Sequence, residues 1–290
     1  MTPPTITRRR FFHLSRPVDY LPSILADSPA NSPVSPRARE RAYPVRAVRY
    51  WLTRELLAAE LAGLGRGGEI KLAELGCHRG FVKFFTKDLT AHVEWVGLDN
   101  NRSFEHEALA AGVEAFVEAD FNDPLPLASS SVDIVLFSHV VEHLANPAFT
   151  LAEISRALKP GGLLIAGSPV LPWPLSFFRE KIFQARLRNN KITPGDHIHA
   201  FSPGKWRSLL DAACLDAEFL SGGFLFRATK SPLEDSALWF RFNMVWGALF
   251  PSLGNEIFIT ARKPLPVFDM EKQLKRTLEK TVDPLGKTGT

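Results

Sequence analysis

The sequence predicts an α/β domain built on a sheet of about seven mostly parallel strands, with helices on both faces. Three observations carry this. Short apolar runs alternate with helical periodicity from Ile70 to Ala261, the order that successive βαβ units produce. One run, Val132 to Phe137, is apolar almost throughout, as a strand covered on both faces must be. Hydrophobic residues make up 45% and charged residues 23% of 290, enough for a sizeable core and incompatible with a disordered or fibrous chain.

The elements follow in order. Residues 1–43 hold seven prolines and little periodicity, which predicts a basic, proline-rich, disordered arm. From Pro44 apolar residues recur at three and four (Val45, Val48, Trp51, Leu52, Leu56), until Gly63, Gly65, Gly67 and Gly68 end the helix. Strands are expected at 70–75, 93–98, 114–118, 132–137, 163–167, 217–220 and 256–261. Helices are expected at 81–89, 103–111, 147–158, from Ser202-Pro203 to about 214, and at 234–250. Ser202 supplies a cap and Pro203 a first helical residue; Trp206, Leu209, Leu210, Ala213 and Cys214 form the stripe expected to be buried. Between the fifth strand and Ser202, residues 169–201 read as an insertion or lid. The domain is thus 44–262, with a tail at 263–290 that has the pattern of a short amphipathic helix over Met270 to Lys280.

Charge is unevenly placed. The whole chain carries +4, residues 1–54 carry +7, and the middle, 55–261, is net acidic. A body that grips DNA is disfavoured. Cys77 and Cys214 are too few for a disulfide framework or a four-cysteine zinc site; free thiols suit the cytoplasm. Arg8-Arg9-Arg10 lacks the apolar stretch an export signal needs. The uncharged run Gly161 to Phe178 is broken by glycines and prolines and reads as a strand and loop rather than a membrane span.

Ligands of an open parallel sheet bind at the carboxyl ends of its strands. The residues there are Glu74-Leu75-Gly76-Cys77-His78-Arg79-Gly80, then Gly97-Leu98-Asp99-Asn100, then Glu118-Ala119-Asp120-Phe121, then Ser138-His139-Val140-Val141-Glu142-His143. Glycine permits a tight turn and close backbone approach. Asp99 can accept from two ribose hydroxyls, and Asp120 from an exocyclic amino group with Phe121 covering the ring. At the turn after the first strand His78 stands where Gly-x-Gly-x-x-Gly would need glycine, which disfavours a nicotinamide enzyme.

In order and spacing, these pieces, together with Val132-Asp133-Ile134-Val135 and Leu158-Lys159-Pro160-Gly161-Gly162, resemble the class I S-adenosylmethionine-dependent methyltransferases of the small-molecule type. The likeness is dense over about 70–170 and continues weakly through His197-Ile198-His199-Ala200-Phe201-Ser202-Pro203. One departure is His78, where the family usually has glycine. The resemblance implies a Rossmann-like fold and S-adenosyl-L-methionine as cofactor. It places Glu74, Gly76, Cys77, Gly80, Asp99, Asn100, Asp120, Phe121 and Ser138 around that cofactor. His139, His197 and His199 are the candidate catalytic groups, since a hydroxyl or amine acceptor needs a base within reach. Asp196 with its neighbouring histidines makes too weak a case for metal, and none is expected.

The acceptor is expected to be a small molecule or one linked to lipid or glycan. The alternatives are RNA methylation, using the arginine-rich arm, and a non-catalytic cofactor-binding regulator. Val170 to Lys191 combines aromatic and apolar residues with a net charge of +4, which suits a lid or peripheral contact with the anionic inner face of a membrane.

Overall fold

A computed structural model describes residues 48–64, 69–189, 191, 193, 195–223, 225 and 232–266. The expected N-terminal arm and the helix at Met270 to Lys280 lie outside these residues. Seven strands, β1 (Ile70–Leu75), β2 (Val93–Asp99), β3 (Ala115–Glu118), β4 (Val132–Ser138), β5 (Leu158–Pro169), β6 (Asp216–Gly222) and β7 (Glu256–Arg262), form one sheet. Its order is β3-β2-β1-β4-β5-β7-β6. β7 runs antiparallel to both its neighbours, and all other pairs are parallel. The order reverses between β1 and β4, so the crevice forms above Leu75 and Phe137.

Among the described residues seven α-helices cover the sheet: α1 (Val48–Leu64), α2 (Phe81–Thr86), α3 (Glu105–Ala110), α4 (Pro147–Ala157), α5 (Leu175–Arg188), α6 (Pro203–Ala212) and α7 (Ala237–Leu249). Strand periodicity divides the core into two. Ile134 and Leu136 of β4 pack with Leu52, Leu57, Phe81, Phe85 and Met244 on one face. Val135 and Phe137 pack with Leu151, Ile154, Trp206 and Leu210 on the other. Successive side chains of one strand thus feed opposite layers, which is why an apolar run without alternation was the right sign of a central strand.

Several boundaries differ from the sequence expectation. β5 starts at Leu158 rather than 163, because Leu158 already pairs with Val132, and the ladder resumes at Leu163 after a register shift that skips Lys159-Pro160-Gly161-Gly162. Gly161 N–H donates to the Lys263 carbonyl (2.9 Å), and Arg262 Nη1 donates to the Gly161 carbonyl (2.8 Å). α2 stops at Thr86, and the insertion is largely one helix, α5. Cys214 is exposed with φ +54°; it turns the chain into β6 instead of joining the buried stripe formed by Trp206, Leu210 and Ala213.

Arg262 fixes α1 to the far side of the sheet. Its guanidinium meets both carboxylate oxygens of Glu60 (2.9 Å each) and of Glu218. Near the middle of α1, Arg54 pairs with Asp88 and donates to the Phe85 carbonyl (3.0 Å). These ties hold α1 where its first turns wall the crevice.

Candidate cofactor and methyl-acceptor site

The loop after β1 is fastened to the end of β2 before any ligand arrives. Gly76 and Cys77 N–H both donate to the Leu98 carbonyl (2.8 and 3.1 Å). His78 N–H donates to Asp99 Oδ2 (2.9 Å), and Asn101 N–H to Asp99 Oδ1 (3.1 Å). Asp99 is 6% exposed, so its carboxylate organises two neighbouring loops as well as standing at the ribose position. Asn100 beside it is exposed.

Two glycines of this loop have left-handed backbone. At Gly76 (φ +77°) a Cβ would collide with Val140 Cγ2 across the switch point; at Gly80 (φ +72°) it would lie 2.8 Å from Ala111 Cβ, where the end of α3 closes in. His78 takes the same conformation without being glycine, φ +48°, at a cost of roughly 1–2 kcal/mol. Its ring lies against Phe104 (centroids 3.8 Å) and near Phe81 (5.6 Å), contacts that offset the strain. The bulk at the family's glycine position is therefore accommodated sideways, along the crevice wall.

A cavity of about 240 Å³ opens beside this loop. Glu74, Gly76, Cys77, Ser138 and His139 line it, and Arg49, Tyr50 and Thr53 of α1 close it. The α1 residues carry no motif; only their place at the start of an amphipathic helix preceding β1 could have pointed to them. Cys77 contributes backbone, since its thiol is buried under Gly97 and pushed far up by that burial. Glu74 is 4% exposed and accepts from Trp95 Nε1 (3.0 Å). Burial raises its carboxyl to about 8.

That shift has a consequence for stability. Between the ordinary value near 4.5 and about 8, the unfolded chain ionises Glu74 while the folded protein keeps the proton. Stability must fall with rising pH across that window, by up to about 1.4 kcal/mol per pH unit. Glu74→Gln, which can still accept from Trp95, is expected to flatten the decline. Urea titrations of both proteins from pH 5 to 8 without ligand check this; parallel curves would show that Glu74 is already ionised in the fold.

One of the two residues expected at the adenine sits differently from expectation. Asp120 is exposed, its Oδ1 accepting from the Asn122 backbone and side-chain amides (2.9 Å each), and remains available. Phe121 is not: its side chain is 6% exposed and belongs to the core with Leu125 and Leu151. The turn after β3 directs it inward, so it offers no open ring face to an adenine.

The histidines separate into two groups. His139, φ +57°, lines the first cavity at the end of β4. Its Nε2 faces Glu256 Oε1, and its Nδ1 lies 3.6 Å from Glu142 Oε1. Glu256 comes from the first position of β7; because that strand is antiparallel, its start lies at the ligand edge, a signal the sequence offered only once the topology was known. His197 and His199 instead line a second cavity of about 390 Å³ with Arg179 and Phe183 of α5. His199 Nδ1 is 2.9 Å from Glu180 Oε1, and Ala200 N–H donates to the same carboxylate. His199 therefore anchors α5, and the structure does not bring it into the first cavity.

Residues 73–166 match the family described as Methyltransferase domain. A Mycolicibacterium smegmatis protein assigned as an S-adenosylmethionine-dependent methyltransferase is 33% identical over 181 residues, 60% of this chain and 63% of that protein. A human thiol S-methyltransferase is 28% identical over 153 residues, 44% of this chain and 55% of that protein. The chain thus spans less than two thirds of the length of these curated relatives. Among solved structures, one assigned as a sarcosine dimethylglycine methyltransferase from Galdieria sulphuraria superposes with a TM-score of 0.52 at 19% identity, covering 74% of this chain and 86% of that one; the likeness is one of fold.

Proposed function

From its membership of the class I S-adenosylmethionine-dependent methyltransferases, carried by residues 73–166, we propose that the chain transfers the cofactor's methyl group to a small-molecule, glycan-linked or lipid-linked acceptor. The observation that carries this is the crevice at the β1/β4 switch point, where a pre-fastened glycine loop and Asp99 adjoin a cavity that also holds His139. S-adenosyl-L-methionine, when bound, supplies a methyl group on a permanently cationic sulfur. The donor set fits that group: Asp99 offers carboxylate oxygen at the ribose position, Asp120 at the adenine position, and Glu74 lies in the cavity wall where a cation would draw it into its ionised form. Ser138 and His139 floor the cavity, and His139 together with Glu256 is the pair we assign to take the proton of the acceptor's O–H or N–H. Tyr50 and Thr53 of α1 line the same cavity. Most of the rate enhancement then comes from alignment.

The similarity to a thiol S-methyltransferase adds a sulfur acceptor as a second reading, because a thiol needs the same alignment and less help from a base.

Two exposed apolar surfaces support a membrane setting for the acceptor. Trp173 is 78% exposed, and Phe177, Phe178 and Ile182 of α5 are also exposed, beside Arg179, Lys181, Arg186 and Arg188. On α7, Leu238, Phe242, Val245 and Leu249 form an exposed stripe at helical spacing. Among the described residues no helix is long and apolar enough to cross a membrane. Apolar groups interleaved with cations suit contact with an anionic lipid surface, from which a lipid-linked acceptor would be reached.

Calorimetry should show one S-adenosylmethionine site per chain, and isotopically labelled methyl donor offered with cell-extract metabolites and lipids should mark the acceptor. Absence of binding at millimolar cofactor would overturn the methyltransferase reading; binding with no transfer to any acceptor would favour a non-catalytic regulator. Co-sedimentation with anionic but not neutral liposomes, weakened by Trp173→Ala with Phe177→Ala, is expected of the lipid contact.

A further inference from the structure

We propose that Glu142, His143 and His197 form a binding site for a divalent transition-metal ion of the Zn²⁺ class, separate from the cofactor crevice. One ligand atom from each of the three lies within 4.8 Å of the others. Glu142 and His143 belong to the turn after β4, Val141–His143. His197 comes from the loop after α5, brought up by Ile198 and His199 N–H groups donating to the Glu142 carbonyl (2.9 and 3.2 Å). The two segments are therefore fixed to one another by backbone, not only by side chains.

The carboxylate is what needs a ligand. Glu142 is 1% exposed, and neither of its side-chain oxygens has a hydrogen-bond partner. The nearest basic atoms stand off: His139 Nδ1 at 3.6 Å and His143 Nε2 at 4.0 Å from Oε1. Both distances exceed a hydrogen bond. Donors on a tetrahedral ion with bonds of about 2.0–2.2 Å are roughly 3.3–3.6 Å apart, so a contraction of under about 1.5 Å would close this set.

The imidazoles are turned the right way. His143 Nδ1–H donates to the Asp196 carbonyl (3.0 Å), which leaves Nε2 with a free lone pair directed toward Glu142. A ligating histidine commonly has its other nitrogen held in this way by a backbone carbonyl. The His197 ring meets His143 edge-on, centroids 4.9 Å apart, so both rings present nitrogen to the same region. Two imidazoles and one carboxylate suit a borderline divalent ion better than Mg²⁺ or Ca²⁺, which prefer all-oxygen sets. Three protein donors also leave a coordination position open. Glu142 lies beside His139, which lines the first cavity, and His197 lines the second, so the ion would sit between the two. The pattern escaped the sequence reading because it joins a turn to a loop more than fifty residues away, whereas Asp196, the carboxylate considered there, contributes only its backbone carbonyl to His143.

The test uses the full chain, stripped with chelator, reloaded with zinc chloride or cobalt chloride and freed of excess by gel filtration. Elemental analysis is expected to find one ion per chain, with visible d–d absorption for the cobalt form. His197→Asn, in a half-buried loop, and His143→Ala are each expected to weaken zinc binding by at least about tenfold, while for His143→Ala calorimetric affinity for S-adenosylmethionine stays within about twofold. If the reloaded wild-type chain retains neither ion above the level of the variants, the site does not exist. Zinc retention without cofactor binding would overturn the methyltransferase reading and leave this one standing.

Discussion

Asp99→Ala is expected to lower affinity for S-adenosylmethionine by at least about tenfold and to destabilise the folded chain by roughly 2–4 kcal/mol. The first effect follows from the sequence position alone: a carboxylate at the end of β2 accepts from ribose hydroxyls, and hydrogen bonds to charged groups contribute roughly 1.5–3 kcal/mol each. The second follows from the structure. Asp99 Oδ2 and Oδ1 already hold the N–H groups of His78 and Asn101, and alanine would leave both donors without that acceptor in a largely buried place. Leaving such a group unsatisfied costs roughly 1–3 kcal/mol. Asp120→Ala makes the contrast, because Asp120 is exposed and holds only Asn122. It should weaken cofactor binding while changing stability by less than about 0.5 kcal/mol. Calorimetry and urea unfolding on both variants separate the roles. Unchanged affinity in Asp99→Ala would mean that the ribose lies elsewhere.

Trp206→Ala is expected to be the most destabilising single change in the second core layer, by about 3–5 kcal/mol. Trp206 is fully buried on α6, packs against Phe201 at 5.7 Å between ring centroids, and donates from Nε1 to Ser168 Oγ (2.8 Å). Ser168 is itself fully buried on β5, so alanine removes both the ring volume and the donor. At roughly 2–4 °C per kcal/mol for a domain of this size, thermal unfolding should drop by more than about 6 °C. Trp206→Phe keeps most of the volume and loses the hydrogen bond, so its loss should lie between. Melting of Trp206→Ala at the wild-type temperature would show that α6 does not hold β5 in place.

The strands were legible because burial on two faces leaves an apolar run that survives any register. The cofactor end was legible because glycines and acids at strand ends are local: each lies within a few residues of its own strand. Phe121 was misread for the complementary reason. Nothing in Asp120-Phe121-Asn122 says which of the two neighbours faces inward; that is set by the turn after β3 and by packing on Leu125 and Leu151. Cys214 was misread because helical periodicity was extended past Ala212, where the chain takes a left-handed residue to enter β6. His139 could be placed at the site, but its partner Glu256 is brought there only by the antiparallel closure of β7 against β5. Long-range pairs of this kind follow from topology, and topology here departs from the simple parallel pattern at its last strand.

The two thiols differ in reach as well as in surroundings. Cys77 is sealed beneath Gly97, whereas Cys214 is open to solvent just before β6. β6 begins opposite Arg262, and Arg262 lies opposite Leu163, toward the start of β5; Cys214 is therefore on the edge of the sheet away from the crevice. Among the described residues the chain thus offers one accessible sulfur, on its rear face. A maleimide fluorophore or nitroxide attached there would leave the ligand mouth open and would need no engineered cysteine. Tumbling, distances to a bound vesicle and immobilisation geometry could all be read from that single attachment point.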